Sequence, residues 1–235
     1  MVNENLVEIV GIIDRSGSMS TIQADAEGGF NTFIKEQKEN IIDKKVKVTI
    51  AEFDDKYEIV CDGLDIKKFK KYTLIPRGST ALYDAIGRTI DAVGSRLSSS
   101  KDQDKPGRII VVVVTDGQEN ASKEYSHARV SEMINHQKSK YSWEFLFMCT
   151  DELSQKEAAS LGINPNCIAV YSSDELGLKG YSDLSRSVCF AVYTNSVADF
   201  TKFKPKEGAK KKNQNTKRID SFLPIQNLEE TKKTS

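Results

Sequence analysis

The sequence predicts an α/β fold of the Rossmann-like, doubly wound kind: a mostly parallel sheet with one antiparallel edge strand, flanked by helices. Three observations point there. Ile109–Val114 is an unbroken apolar run, as befits a central parallel strand covered on both faces. Strand-like and helix-like segments alternate along the chain for some 200 residues. Val46–Phe53 is followed, after the turn residues Asp54 and Asp55, by a second short strand at Tyr57–Cys61, the signature of a hairpin that supplies the antiparallel edge.

The elements follow in order. Leu6–Ile13 is a β-branched run that stops at Asp14 and reads as a strand entering a loop. Ala24–Asn40 sets Phe30, Phe33 and Ile34 against charged residues, an amphipathic helix. After the loop IPRGST, Leu82, Ile86, Ile90, Val93 and Leu97 recur at helical spacing. Val130, Met133 and Ile134 mark another helix, Trp143–Cys149 a strand, Leu153–Leu161 a helix and Ile168–Tyr171 a short strand. Leu184–Phe200 reads as the closing helix.

Lys+Arg and Asp+Glu both number 34, but they are unevenly spread. Residues 202–235 carry ten basic against four acidic residues, a net of +6, so the body carries −6. The expected division is a globular domain over 1–202 and a flexible basic tail over 203–235, whose polar composition cannot bury enough surface to order itself. An acidic body argues against general nucleic-acid binding. Cys61, Cys149, Cys167 and Cys189 are widely spaced with no CxxC pair, which argues against a disulfide framework and for a reducing, cytoplasmic setting. The acidic N-terminus is unlike a signal peptide, and no apolar run is long enough to span a bilayer.

Chemistry concentrates in three segments, each just past a strand or opening a helix: DRSGSMS from Asp14, GSTALYDAIG from Gly78, and TDGQEN from Thr115. In open α/β sheets such loops converge where strand order reverses. Asp14, Ser16, Ser18, Thr80 and Asp116 offer two carboxylates and three hydroxyls, a hard oxygen set suited to Mg2+, Mn2+ or Ca2+. The same residue types also suit helix caps and turns: Ser79 or Thr80 as a cap, Asp116-Gly117 as a turn pair.

Asp14-x-Ser16-x-Ser18, a distant Thr80 and Asp116 within TDG together resemble the metal ion-dependent adhesion site of von Willebrand factor A domains, over roughly residues 6–200. The resemblance implies the vWA fold, with Mg2+ as the expected ion and Mn2+ or Ca2+ as alternatives. It implies that Ser16 and Ser18 bind the metal directly, and Thr80 directly or through water. Asp14 and Asp116 would mostly accept hydrogen bonds from coordinated waters and from the serines. The missing ligand would be an Asp or Glu of a partner protein. Arg15 and Met19 would border the docking surface, with Glu119 and Asn120 continuing it.

Other residues carry weaker signals. Asp84 supports Thr80 or simply complements the helix dipole. Asp151-Glu152 rims the site without being a ligand. His127 and His136 read as ordinary helix residues with no nucleophile beside them, and Ser16 and Ser18 lack an adjacent base, so no enzyme is expected. In the tail, Thr216, Ile219, Phe222 and Leu223 resemble the short peptides that dock on DNA sliding clamps, with Thr216 in place of the usual Gln and Leu223 in place of the second aromatic. Two functions follow: a cytoplasmic, metal-dependent protein-binding adaptor, or a nucleic-acid-associated accessory factor tethered through its tail. Deleting residues 203–235 separates them. The second reading expects DNA or clamp association to vanish in a pull-down while metal binding persists, and retained association would eliminate it.

Overall fold

The computed structural model describes residues 1–172, 175–194 and 196–201. The tail, with Ile219, Phe222 and Leu223, and the expected boundary near residue 203 lie outside the described residues. The strands are β1 (Asn3–Asp14), β2 (Lys45–Phe53), β3 (Tyr57–Asp65), β4 (Pro106–Val114), β5 (Glu144–Cys149) and β6 (Ile168–Val170). They form one sheet in the order β3-β2-β1-β4-β5-β6. Every neighbouring pair is parallel except β2 with β3, the hairpin. Among the described residues, α1 (Gln23–Asn40), α2 (Leu82–Ser98), α3 (His127–Tyr141) and α4 (Glu152–Ser160) connect the strands, and α5 (Tyr181–Thr194) follows β6.

β1 from Leu6 onward and β4 from Ile109 onward are buried at every position. A strand whose alternate side chains are all buried must be covered on both faces, which explains why neither shows a polar/apolar alternation in its core stretch. On one side α1 packs against α5, and Phe30 of α1 meets Tyr72 and Tyr181 edge-on at 5.1 and 6.0 Å between ring centroids. A second group of helices pairs α2 with α3, and α2 also packs against β1, β2 and β3. β1 leads to β2 on one side, and its other neighbour is β4. The sheet therefore reverses its winding between β1 and β4, and their carboxyl ends frame a crevice.

Two elements depart from the sequence expectation. β3 continues to Asp65, past Cys61, with irregular pairing to β2 around Ile50 and a positive φ of 57° at Gly63. The closing helix does not reach Phe200: it ends at Thr194, and the chain folds back on the lower end of the sheet. There Glu144 accepts a hydrogen bond from the Ala198 amide at 2.6 Å, and the Phe200 amide donates to the Asn166 carbonyl at 2.9 Å. These long-range bonds outcompete helical continuation, although Ala198 and Phe200 keep the apolar character that suggested it.

Preceding α5 is a single π-helical turn, Leu176–Gly180, seated on α1. A methyl group on Gly29 would stand 2.3 Å from the Gly177 carbonyl oxygen and 2.4 Å from the Tyr181 ring, whereas one on Gly28 would meet nothing within 4 Å. Gly29→Ala is accordingly expected to lower stability by roughly 1–3 kcal/mol through overpacking. Gly28→Ala is expected to be neutral, or stabilising by up to about 1 kcal/mol through helix propensity. Thermal denaturation of the pair checks this, and equal midpoints would refute the close packing of α1 on the π turn.

Candidate functional site

β1 and β4 end side by side, and their last residues build the floor of the crevice. Asp14 is fully buried. Its Oδ1 accepts from the Ser16 amide at 2.6 Å, and its Oδ2 accepts from the Thr115 hydroxyl at 2.5 Å. Burial raises the Asp14 carboxyl to about 6 against the pull of these two donors, and a nearby cation would act in the opposite direction. Burial likewise raises the Asp116 carboxyl, opposed by a hydrogen bond from Ser18.

After Asp14 the chain makes a 3-10 turn over Gly17–Thr21, which projects the two serine hydroxyls toward the third loop. Ser16 Oγ and Ser18 Oγ lie 3.0 Å apart, and Ser18 Oγ donates to Asp116 Oδ1 at 2.6 Å. The geometry around Gly117 locates the point of convergence. A Cβ placed there would sit 3.2 Å from Thr80 Oγ1, 3.5 Å from Ser18 Oγ and 3.9 Å from Ser16 Oγ. Three hydroxyls from two distant loops thus face one small space that the missing side chain leaves open. All five residues picked out in the sequence, Asp14, Ser16, Ser18, Thr80 and Asp116, are brought together. The donors are hydroxyl and carboxylate oxygens, which suit a hard divalent cation and not zinc or copper. Among the described residues no group of three or more His, Cys, Asp and Glu side chains is placed to hold a metal, so a cation here would depend on the hydroxyls.

The rim differs from expectation. Arg15 and Met19, expected on an exposed rim, are turned inward: Arg15 is 3% exposed and Met19 fully buried. Arg15 turns toward the hairpin, where it pairs with Glu52, with Asp54 at 3.1 Å and with Glu58 at 2.9 Å. Arg77 of the second loop shares Asp54 at 2.7 Å and Glu58 at 2.8 Å, and its amide donates to the Arg15 carbonyl at 2.7 Å. Arg15 therefore ties the first loop to the second through the hairpin carboxylates, which draw its charge inward. Met19 enters the core because the 3-10 turn rotates it there.

Glu119 and Asn120 sit in the third loop, but both are engaged within the protein. Glu119 accepts from the amides of Tyr83, Ala121 and Ser122 and from the Ser122 hydroxyl, at 2.7–3.0 Å. Asn120 Oδ1 accepts from the Thr80 amide at 3.0 Å, and the Asn120 and Ala121 amides donate back to the Thr80 carbonyl at 3.0 and 3.2 Å. Neither Ser79 nor Thr80 caps α2: the cap position is Ala81, which has no capping side chain, and Glu119 and Ser122 reach across to the free amides of Tyr83 and Asp84 instead. Asp84 reciprocates by accepting from the amides of Lys123, Glu124 and Tyr125 at 2.8–2.9 Å. Asp151 caps α4 through the Leu153 and Ser154 amides, and the Ser154 and Thr150 hydroxyls bind the Gly117 and Asp116 carbonyls.

Sequence reading missed Thr115 and Gly117 as site residues. The TDG triplet held the signal: a hydroxyl next to the acid and a residue without a side chain beyond it. His127 does have a hydroxyl beside it, Ser160 Oγ at 2.7 Å from Nε2. Glu157 approaches that same nitrogen at 3.8 Å, and among the described residues no acid is paired with the ring's other nitrogen, where a catalytic triad places one. His136 packs against Tyr141.

Sheet order, the single antiparallel edge and the crevice between β1 and β4 define the von Willebrand factor type A fold. Solved structures with that fold resemble the chain at low identity. It covers 96% of the von Willebrand factor domain of the type V pilus tip protein Mfa5 from Porphyromonas gingivalis, with 79% of the present chain aligned, a TM-score of 0.57 and 11% identity. It resembles a von Willebrand factor type A protein from Catenulispora acidiphila at a TM-score of 0.53 and 14% identity, over 80% of this chain and 43% of that one. Proximal thread matrix protein 1 of the mussel byssus matches at 0.53 and 17%, over 80% of this chain and 47% of its own. The chain thus spans about half the length of the mussel protein or less than half of the Catenulispora one. No family model and no curated protein sequence matches it.

Filling the space beside Gly117 is the sharpest test of the site. Gly117→Ala places a methyl group 3.2 Å from the Thr80 hydroxyl, so that hydroxyl must shift by a few tenths of an ångström, and circular dichroism checks that the variant still folds. It should weaken Mn2+ binding, measured by titration calorimetry, by about tenfold or more. Undiminished affinity would mean that the three hydroxyls do not face a metal.

Proposed function

We propose that this chain is a protein-binding adaptor of the von Willebrand factor A type, whose crevice holds one divalent cation and docks an acidic side chain of a partner protein. The observation that carries this reading is the convergence of the Ser16, Ser18 and Thr80 hydroxyls on the space beside Gly117, with Asp14 and Asp116 immediately behind them. Mg2+ is the expected ion, with Mn2+ and Ca2+ as alternatives of the same hard class. Ser16, Ser18 and Thr80 hold it, while Asp14 and Asp116 orient the loops and hydroxyls around it. The cation supplies a positive charge that two carboxylates only partly offset, and an acidic oxygen of the partner completes its shell.

Binding, not catalysis, is the role the surroundings favour. The Ser16 hydroxyl meets the Ser18 hydroxyl, and the Ser18 hydroxyl donates to the Asp116 carboxylate, so no histidine takes part in either bond. The four cysteines are unpaired, in keeping with a reducing setting. Among the described residues no helix is long and apolar enough to cross a membrane.

A pull-down with wild type and Asp14→Ala, each in Mg2+ and in EDTA, tests the proposal. A partner retained only by wild type with Mg2+ is the expected result. Equal retention under all four conditions would assign binding to another surface and overturn the reading.

A further inference from the structure

We infer that Asn120 is a positioning residue for the metal site, acting through the Thr80 backbone and not through contact with a partner. The inference rests on the proposal that Thr80 is a metal ligand. Thr80 is 3% exposed and lies before α2, in a stretch with no regular secondary structure to fix it. Its amide has one partner, Asn120 Oδ1 at 3.0 Å, and its carbonyl accepts from the Asn120 and Ala121 amides at 3.0 and 3.2 Å. The Asn120 side chain thereby closes a ring of hydrogen bonds around a single peptide segment. That ring fixes where the Thr80 hydroxyl stands relative to Gly117, only 3.2 Å from a Cβ placed there.

The chemistry of the two positions explains the pairing. Thr80 cannot donate its amide to its own helix, because α2 begins at Leu82. A buried amide without an acceptor is unfavourable, so removing Asn120 Oδ1 forces the segment to shift toward water or another acceptor. Such a shift moves the hydroxyl out of the shared space. Asn120 itself is solvent-exposed, so its substitution removes little packing. Glu119 and Asp84 clamp the flanks of the same loop, so the rest of the loop is held while the Thr80 segment alone is released.

The experiment is a double-mutant cycle read by Mn2+ affinity alone, with no partner present. Asn120→Ala is expected to weaken Mn2+ binding by about tenfold, in line with residues that orient metal ligands. Asn120→Asp keeps the acceptor and should bind close to wild type. In a Thr80→Ala background, which removes the hydroxyl but keeps the amide, Asn120→Ala should cause no further loss. Unchanged affinity in Asn120→Ala, failure of Asn120→Asp to bind, or the same fold-loss in both backgrounds would overturn the inference while leaving the metal site intact. A wild-type protein that binds no Mn2+ would overturn the metal-site reading itself, and this inference with it.

Discussion

The Asp14 carboxylate lies fully buried where the two central strands end, held by the Ser16 amide on one oxygen and the Thr115 hydroxyl on the other. The first donor belongs to the loop leaving β1, and the second to the residue following β4. One side chain thus joins the two strands between which the sheet reverses its winding, and it sets the start of both loops that line the crevice. Thr115 also receives the Gly117 amide at 3.1 Å, which carries the constraint on to the glycine at the centre of the site. Burying a carboxylate is tolerable only because every such donor is supplied locally, and losing one would cost about 1–3 kcal/mol in an unsatisfied group.

Around this joint the loops are fastened in pairs. Arg15 and Arg77 share Asp54 and Glu58, so the first and second loops are held to the hairpin by a network of two guanidiniums and three carboxylates. Asp54 is fully buried within it, and the Arg15 guanidinium holds the partly exposed Glu58 carboxyl down at about 2. A network of this kind adds little net stability over apolar packing, but removing Arg15 would strip the fully buried Asp54 of one of its two guanidinium partners. It specifies geometry more than it stabilises. Glu119 and Asp84 perform the matching task between the second and third loops with neutral amide donors, where no desolvated ion pair is needed.

What the sequence made legible was local. The valine run of β4, the alternation in β2, and the DxSxS and TDG groups each carry their signal within a few residues, and sheet order follows from the connections between them. The side-chain directions of the variable loop positions were not legible. Arg15 sits between Asp14 and Ser16, and its inward turn is decided by Glu52, Asp54 and Glu58, some forty residues on. The capping of α2 was hidden for the same reason: its donors are local, but the acceptors arrive from Glu119 and Ser122. At the end of the fold, helical periodicity ran on through Ala198 and Phe200, and it is long-range contacts, among them those with Arg108, Glu144 and Asn166, that hold this segment instead.

The inward turn of Arg15 and Met19 changes which side chains the crevice presents to solvent. With both withdrawn, the first loop exposes Gly17, Ser18 and Ser20, which offer hydroxyls and backbone but no charge or apolar bulk. Glu119 and Asn120 are committed to the second loop. Among the described residues, the large apolar side chains exposed on the loops and helix start flanking the crevice are Ile75, at 65%, and Leu153, at 56%. Arg77 anchors the second loop close to Ile75, while Ser154 and Thr150 bind the third loop beside Leu153. A ligand that reached the space beside Gly117 would therefore meet polar groups at the centre, with the exposed apolar side chains farther out. If an acidic side chain supplies the central contact, discrimination has to come from these flanking residues, because an oxygen on a cation is common to every such partner.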